Sequence, residues 1–159
     1  MMISRKTALA TAFSLVALTG LGTAAIAQDA PSLADLGSDS ALAAAFKKMS
    51  GSVKMPEWIS TGIVTTPSQK VSFDGKEWIA MSGCKPHDCA AEQIAVIYSP
   101  ASGEMFGVLS QMPDENQPQT LRWLNMQGGA ETIDGRTILF AALTGSLANH
   151  PEAFNYAKE

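Results

Sequence analysis

From Pro56 onward the sequence falls into short runs of β-branched and aromatic residues divided by turn formers, a pattern that restricts this part of the chain to a meander of antiparallel strands. Ile63-Val64-Thr65-Thr66 opens the series. Lys70-Val71-Ser72-Phe73 leads into an Asp74-Gly75 turn, and Glu77-Trp78-Ile79-Ala80-Met81 returns from it. Gln93 to Tyr98 follows, and its core Ile94-Ala95-Val96-Ile97 is continuously apolar, as expected of a central strand covered on both faces. Met105 to Ser110 and Thr120 to Met126 complete a sheet of about five strands.

Helices flank this sheet in sequence. Ser38-Asp39-Ser40 offers N-caps for a helix through Ala41 to Met49, in which Leu42, Phe46 and Met49 share a face, Lys47 and Lys48 fill the last turn and Gly51 ends it. Gln28 to Gly37 reads as a loose or partly helical lead-in. Thr137 to Leu143 is a short apolar helix or strand, a choice its composition leaves open, with Leu147 and Phe154 as later anchors. The expectation is one α/β domain of the α+β kind, with terminal helices packed on an antiparallel sheet.

The first 27 residues have the layout of a secretory signal peptide. Arg5 and Lys6 precede an uncharged stretch that ends in Ala25-Ile26-Ala27, with small residues where signal peptidase requires them. Threonines, serine and glycines interrupt that stretch, which argues against a retained membrane anchor. Cleavage after Ala27 leaves residues 28–159, the size of a single domain, in the periplasm. That part carries nine basic and fifteen acidic residues, a net charge of −6. The balance disfavours nucleic acid or an anionic membrane and favours a cationic partner.

Both cysteines, Cys84 and Cys89, lie in the exported part, where an oxidising compartment joins such a pair. A ring this short contributes only about 2 kcal/mol by chain entropy, so it shapes a loop more than it holds a fold. The ring encloses Lys85, Pro86, His87 and Asp88 between two expected strands. Gly83 before it and Ala90-Ala91 after it suit a rigid, protruding knuckle, and a pre-closed loop loses little entropy on binding.

On the residues alone His87 has four readings. A metal site with Cys84 and Cys89 matches no common zinc spacing, and oxidised sulfurs supply no thiolates. A catalytic His87-Asp88 pair lacks a nucleophile, and no G-x-S-x-G elbow occurs in the chain. The C-x-x-x-x-C spacing is not the C-x-x-C of redox enzymes. An exposed spacer and a binding group remain. His150, before Pro151, reads as a turn residue, and Trp58, Trp78 and Trp123 read as core rather than cofactor contacts.

The string Ser82-Gly83-Cys84-Lys85-Pro86-His87-Asp88-Cys89 resembles the signature of the Ivy family, the inhibitors of vertebrate lysozyme, whose defining loop is CKPHDC. Ile94-Ala95-Val96, Trp123-Leu124-Asn125, the run from Ile133 to Pro151 and Phe154-Asn155-Tyr156 carry the likeness across the expected domain. The resemblance implies a central antiparallel sheet with helices on both faces. It also implies a protein that is not an enzyme and needs no metal or cofactor, but blocks a C-type lysozyme by inserting the loop Cys84 to Cys89.

In that mode His87 is the inserted residue. Retaining glycosidases hold two carboxyl groups about 5 Å apart, and a protonated imidazole between them can donate to both. Asp88 then contacts the cleft or orients His87, Lys85 sits at the rim and Pro86 fixes the turn. Family members occur in different oligomeric states, which leaves a homodimer open. Control of the cell's own lytic transglycosylases, or another periplasmic binding role, is the alternative.

Overall fold

The computed structural model describes residues 30–114 and 116–156. The expected signal segment and its cleavage site lie outside these residues. A 3-10 turn, Leu33–Gly37, leads in, and Leu33 is buried. Its start is fixed where the Ser32 N–H and hydroxyl both donate to Asp35 Oδ2, at 2.8 and 3.0 Å. Helix α1, Ser40–Ser50, follows, and of the three candidate caps Asp39 is the one used: its Oδ1 accepts from the Ala41 and Leu42 N–H groups. A short helix α2, Trp58–Thr61, precedes the sheet and has no counterpart in the sequence reading.

Six strands form one antiparallel sheet: β1 Val64–Thr65, β2 Gln69–Phe73, β3 Lys76–Cys84, β4 Glu92–Ser99, β5 Glu104–Gln111 and β6 Thr120–Leu124. The long strand β3 carries both β1 and β2 on one edge, β1 opposite Gly83 and Cys84, and β2 opposite residues 76–80. The sheet is therefore about five strands wide. Asp74 and Gly75 both have positive φ, 51° and 66°, which is the type I′ geometry that matches hairpin twist. Strand β6 stops two residues before the expected Met126, because Asn125 turns to φ 60° and its side-chain amide bonds the Met105 carbonyl.

The apolar run of β4 feeds two cores. Ile94, Val96 and Tyr98 pack with Leu42, Ala45 and Met49 of α1, whereas Ala95 and Ile97 face Ile138, Leu139 and Ala141. Those last three lie on α3, Asp134–Thr144, so the ambiguous segment Thr137 to Leu143 is helical. Burial on both faces explains why β4 lacks alternation: every side chain from Ile94 to Ser99 is buried. Each large aliphatic chain so buried contributes about 1.5–3 kcal/mol. Trp78 stacks on Phe73 at 4.8 Å within the α3-side core.

Leu147, on the short helix α4 Ser146–Asn149, is buried in the same core, and Phe154 packs against it. The end of the described chain runs beside β2, where the Tyr156 N–H donates to the Ser72 carbonyl at 2.7 Å. Among the described residues no helix is long and apolar enough to cross a membrane.

Candidate functional site

Strands β3 and β4 pair up to Cys84 opposite Gln93, and the cysteine loop is the connection at their open end. Cys84 and Cys89 are joined by a disulfide, with Cα atoms 4.8 Å apart. Inside the ring the Asp88 N–H donates to the Lys85 carbonyl at 3.0 Å, which closes a four-residue turn over Pro86 and His87. Proline fixes the first central position and His87 takes φ 63° at the second, the pattern of a type II turn. Glycine usually fills that second place, so the turn holds an imidazole in left-handed backbone space at its exposed tip.

A second turn follows at once. The Asp88 carbonyl accepts from both Ala91 and Glu92 N–H groups, at 3.2 and 3.0 Å, and the Lys85 N–H reaches the Glu92 carbonyl at 3.0 Å. Lys85 Nζ lies 2.9 Å from Asp88 Oδ2 across the ring. Its ammonium is held above the usual lysine value by that hydrogen bond and by the Asp88 charge, against a smaller opposing effect of desolvation, with the Glu92 carboxylate adding to the rise. Both partners are about two-fifths exposed, so solvent screens the pair, and it orders the loop more than it stabilises the fold.

All six loop residues therefore come together in one disulfide-closed knuckle, in which His87 and Cys89 are exposed and the other four are half-buried. The Asp88 carboxylate takes Lys85 as its partner across the ring. Gly83 is placed differently from the sequence reading. It lies within β3, beneath Ile63, and a Cβ there would come within 2.6 Å of the Ile63 side chain and 2.9 Å of the Val64 carbonyl. Its smallness serves the close approach of β1 to β3 instead of an exit from the sheet.

His150 is exposed and its N–H donates to the Ser146 carbonyl, in keeping with a turn residue. Trp78 is core, while Trp123 is half-buried under the Arg136 guanidinium at 4.9 Å. Trp58 does more than pack: its indole N–H donates to Glu92 Oε2 at 3.3 Å. The sequence holds no sign of that contact, since Trp58 and Glu92 are 34 positions apart and Glu92 lies just outside the expected strand Gln93 to Tyr98.

A family model described as inhibitor of vertebrate lysozyme (Ivy) matches residues 41–145, which include α1 but for its first residue, the whole sheet, the knuckle and α3. A protein named inhibitor of vertebrate lysozyme from Escherichia coli (strain K12) is 41% identical over 145 residues, covering 91% of this chain and 92% of its own. A protein of the same name from Pseudomonas aeruginosa is 29% identical over 66 residues, 41% of this chain and 43% of its own. By the extent of the family match and of the first of these relatives, the chain belongs to the Ivy family.

Proposed function

We propose that this protein is an inhibitor of C-type lysozyme, acting after export to the periplasm, and that it works by lodging the loop Cys84 to Cys89 in the enzyme's cleft with His87 foremost. The observation that carries the reading is the exposed imidazole at the tip of a disulfide-closed type II turn. Membership of a family described as lysozyme inhibitors supports the target. Such a turn presents His87 with its backbone already fixed, so little conformational freedom is lost on docking. Between two carboxyl groups about 5 Å apart, a protonated imidazole donates one hydrogen bond to each.

The direct test is lysis of a sensitive cell suspension by a C-type lysozyme, titrated with the protein from residue 28 onward and with its His87→Ala variant, both shown to be folded. Near-stoichiometric inhibition by the wild type is expected, with the variant weaker by about 2–5 kcal/mol of binding free energy. No inhibition by the wild type would remove lysozyme as the target. Equal inhibition by both would remove His87 as the inserted residue.

A further inference from the structure

The loop is braced from outside its own ring. Glu92, the first residue of β4, bonds the loop twice through its backbone, accepting from the Lys85 N–H and donating to the Asp88 carbonyl, both at 3.0 Å. Its side chain is anchored elsewhere. Glu92 Oε2 accepts the Trp58 indole N–H at 3.3 Å, and the Gln111 amide donates to Oε2 and Oε1 at 3.2 and 3.4 Å. Gln111 is the direct cross-strand partner of Glu92 at the end of β5, and Trp58 is the first residue of α2. All these contacts are partly buried.

Two neutral donors thus fix a carboxylate beside the ring, where its negative charge acts on the Lys85 ammonium that Asp88 also holds. The turn between Lys85 and Asp88 is the one that carries His87 at φ 63°, an uphill conformation that persists only where its surroundings over-determine it. We propose that Glu92, fixed by Trp58 and Gln111, is a positioning residue for the inhibitory loop: through Lys85 and Asp88 it holds the turn in the form that presents His87. This inference rests on the lysozyme-inhibitor reading for its purpose, but the bracing itself is a property of the free protein.

The test therefore has two parts. In the free protein, amide hydrogen exchange is compared between wild type, Glu92→Ala and Trp58→Phe, the last keeping an aromatic ring but deleting the donor. The Lys85 and Asp88 amides are expected to exchange about 3–10-fold faster in both variants, with Val96 in the middle of β4 unchanged. Unchanged Lys85 and Asp88 exchange overturns the proposal, and so does an equal acceleration at Val96, which would mark a general loss of stability.

In the second part, lysozyme binding is measured for Glu92→Ala, His87→Ala and the double variant. Glu92→Ala is expected to weaken binding about 5–10-fold alone and to add little in the His87→Ala background, because both act through the same turn. Additive losses would assign Glu92 a contact of its own with the enzyme and overturn the positioning role. If wild type fails to bind lysozyme, or His87→Ala abolishes binding, the exchange comparison alone decides the bracing, and the first of these outcomes sinks only the inhibitory reading.

Discussion

His87 occupies left-handed backbone space, which costs an L-residue about 1 kcal/mol or more relative to glycine. Both His87→Ala and His87→Gly remove the imidazole, but only glycine relieves the backbone. His87→Gly is therefore expected to be more stable than His87→Ala by about 0.5–1 kcal/mol in urea denaturation, the gain being trimmed by glycine's greater freedom when unfolded. If the alanine variant is as stable as the glycine one, the turn is not strained at this residue.

A second residue-level effect lies at the opposite end of the sheet. Glu131 is only 8% exposed, and burial alone would push its carboxyl up. The N–H groups of Gln127 and Gly129, its own N–H and the Thr132 hydroxyl outweigh that and hold it below the usual glutamate value. Its Oε1 accepts from Gln127 at 2.8 Å and from Gly129 at 3.0 Å. Because the folded value is depressed, the stabilisation is present above the ordinary glutamate range and is lost as pH falls through the folded value. Glu131→Gln is expected to lose about 1–2 kcal/mol at neutral pH, with the gap to wild type closing in acid. A gap that stays constant down to strongly acid pH would show that charge at this position plays no part.

At the scale of elements, the hairpin β3–β4 is what gives the loop a fixed base. The disulfide begins at the last residue of β3, and the backbone bond from Lys85 to Glu92 continues the ladder one step past it. β1 clamps the same end by pairing with Gly83 and Cys84. Gly83→Ala would drive a methyl into Ile63 and the Val64 carbonyl, and only the side chain can give way easily. Overpacking of this kind costs about 1–3 kcal/mol. Thermal unfolding of Gly83→Ala is expected at lower temperature than wild type, with inhibition weakened as β1 is displaced. Unchanged stability would mean that β1 yields freely and does not clamp the loop.

Element identity was mostly legible along the chain. The Asp74-Gly75 turn, the β4 run and the α1 pattern each follow from local chemistry, and each stands where the residues place it. The segment Thr137 to Leu143 was not decidable, because short apolar stretches fit a helix or a strand equally and only its packing against Ala95, Ile97 and Phe73 makes it helical. Helices α2 and α4, four residues each, are too short for a periodic signal.

Over the whole molecule, charge bears on encounter more than on grip. Residues 28–159 carry a net −6, and a strongly basic enzyme would be drawn to them before any contact forms. The association rate with lysozyme is expected to fall by about tenfold or more between low and physiological salt, while the dissociation rate changes little. A rate indifferent to salt would show that encounter is not steered by charge.

The sequence by itself determined the two-sided sheet, the disulfide-closed loop and the family, because periodicity, turn residues and a six-residue motif are local and survive in one dimension. Tertiary structure alone decided that β1 and β2 share an edge of β3, that Gly83 is a packing glycine, and that Glu92 meets Trp58 and Gln111 at the root of the loop. Apart from the local β2–β3 hairpin, those contacts join residues about 20 or more positions apart in the chain. Their partners are set by strand register and by the seating of α2, and neither leaves a trace in the order of the residues.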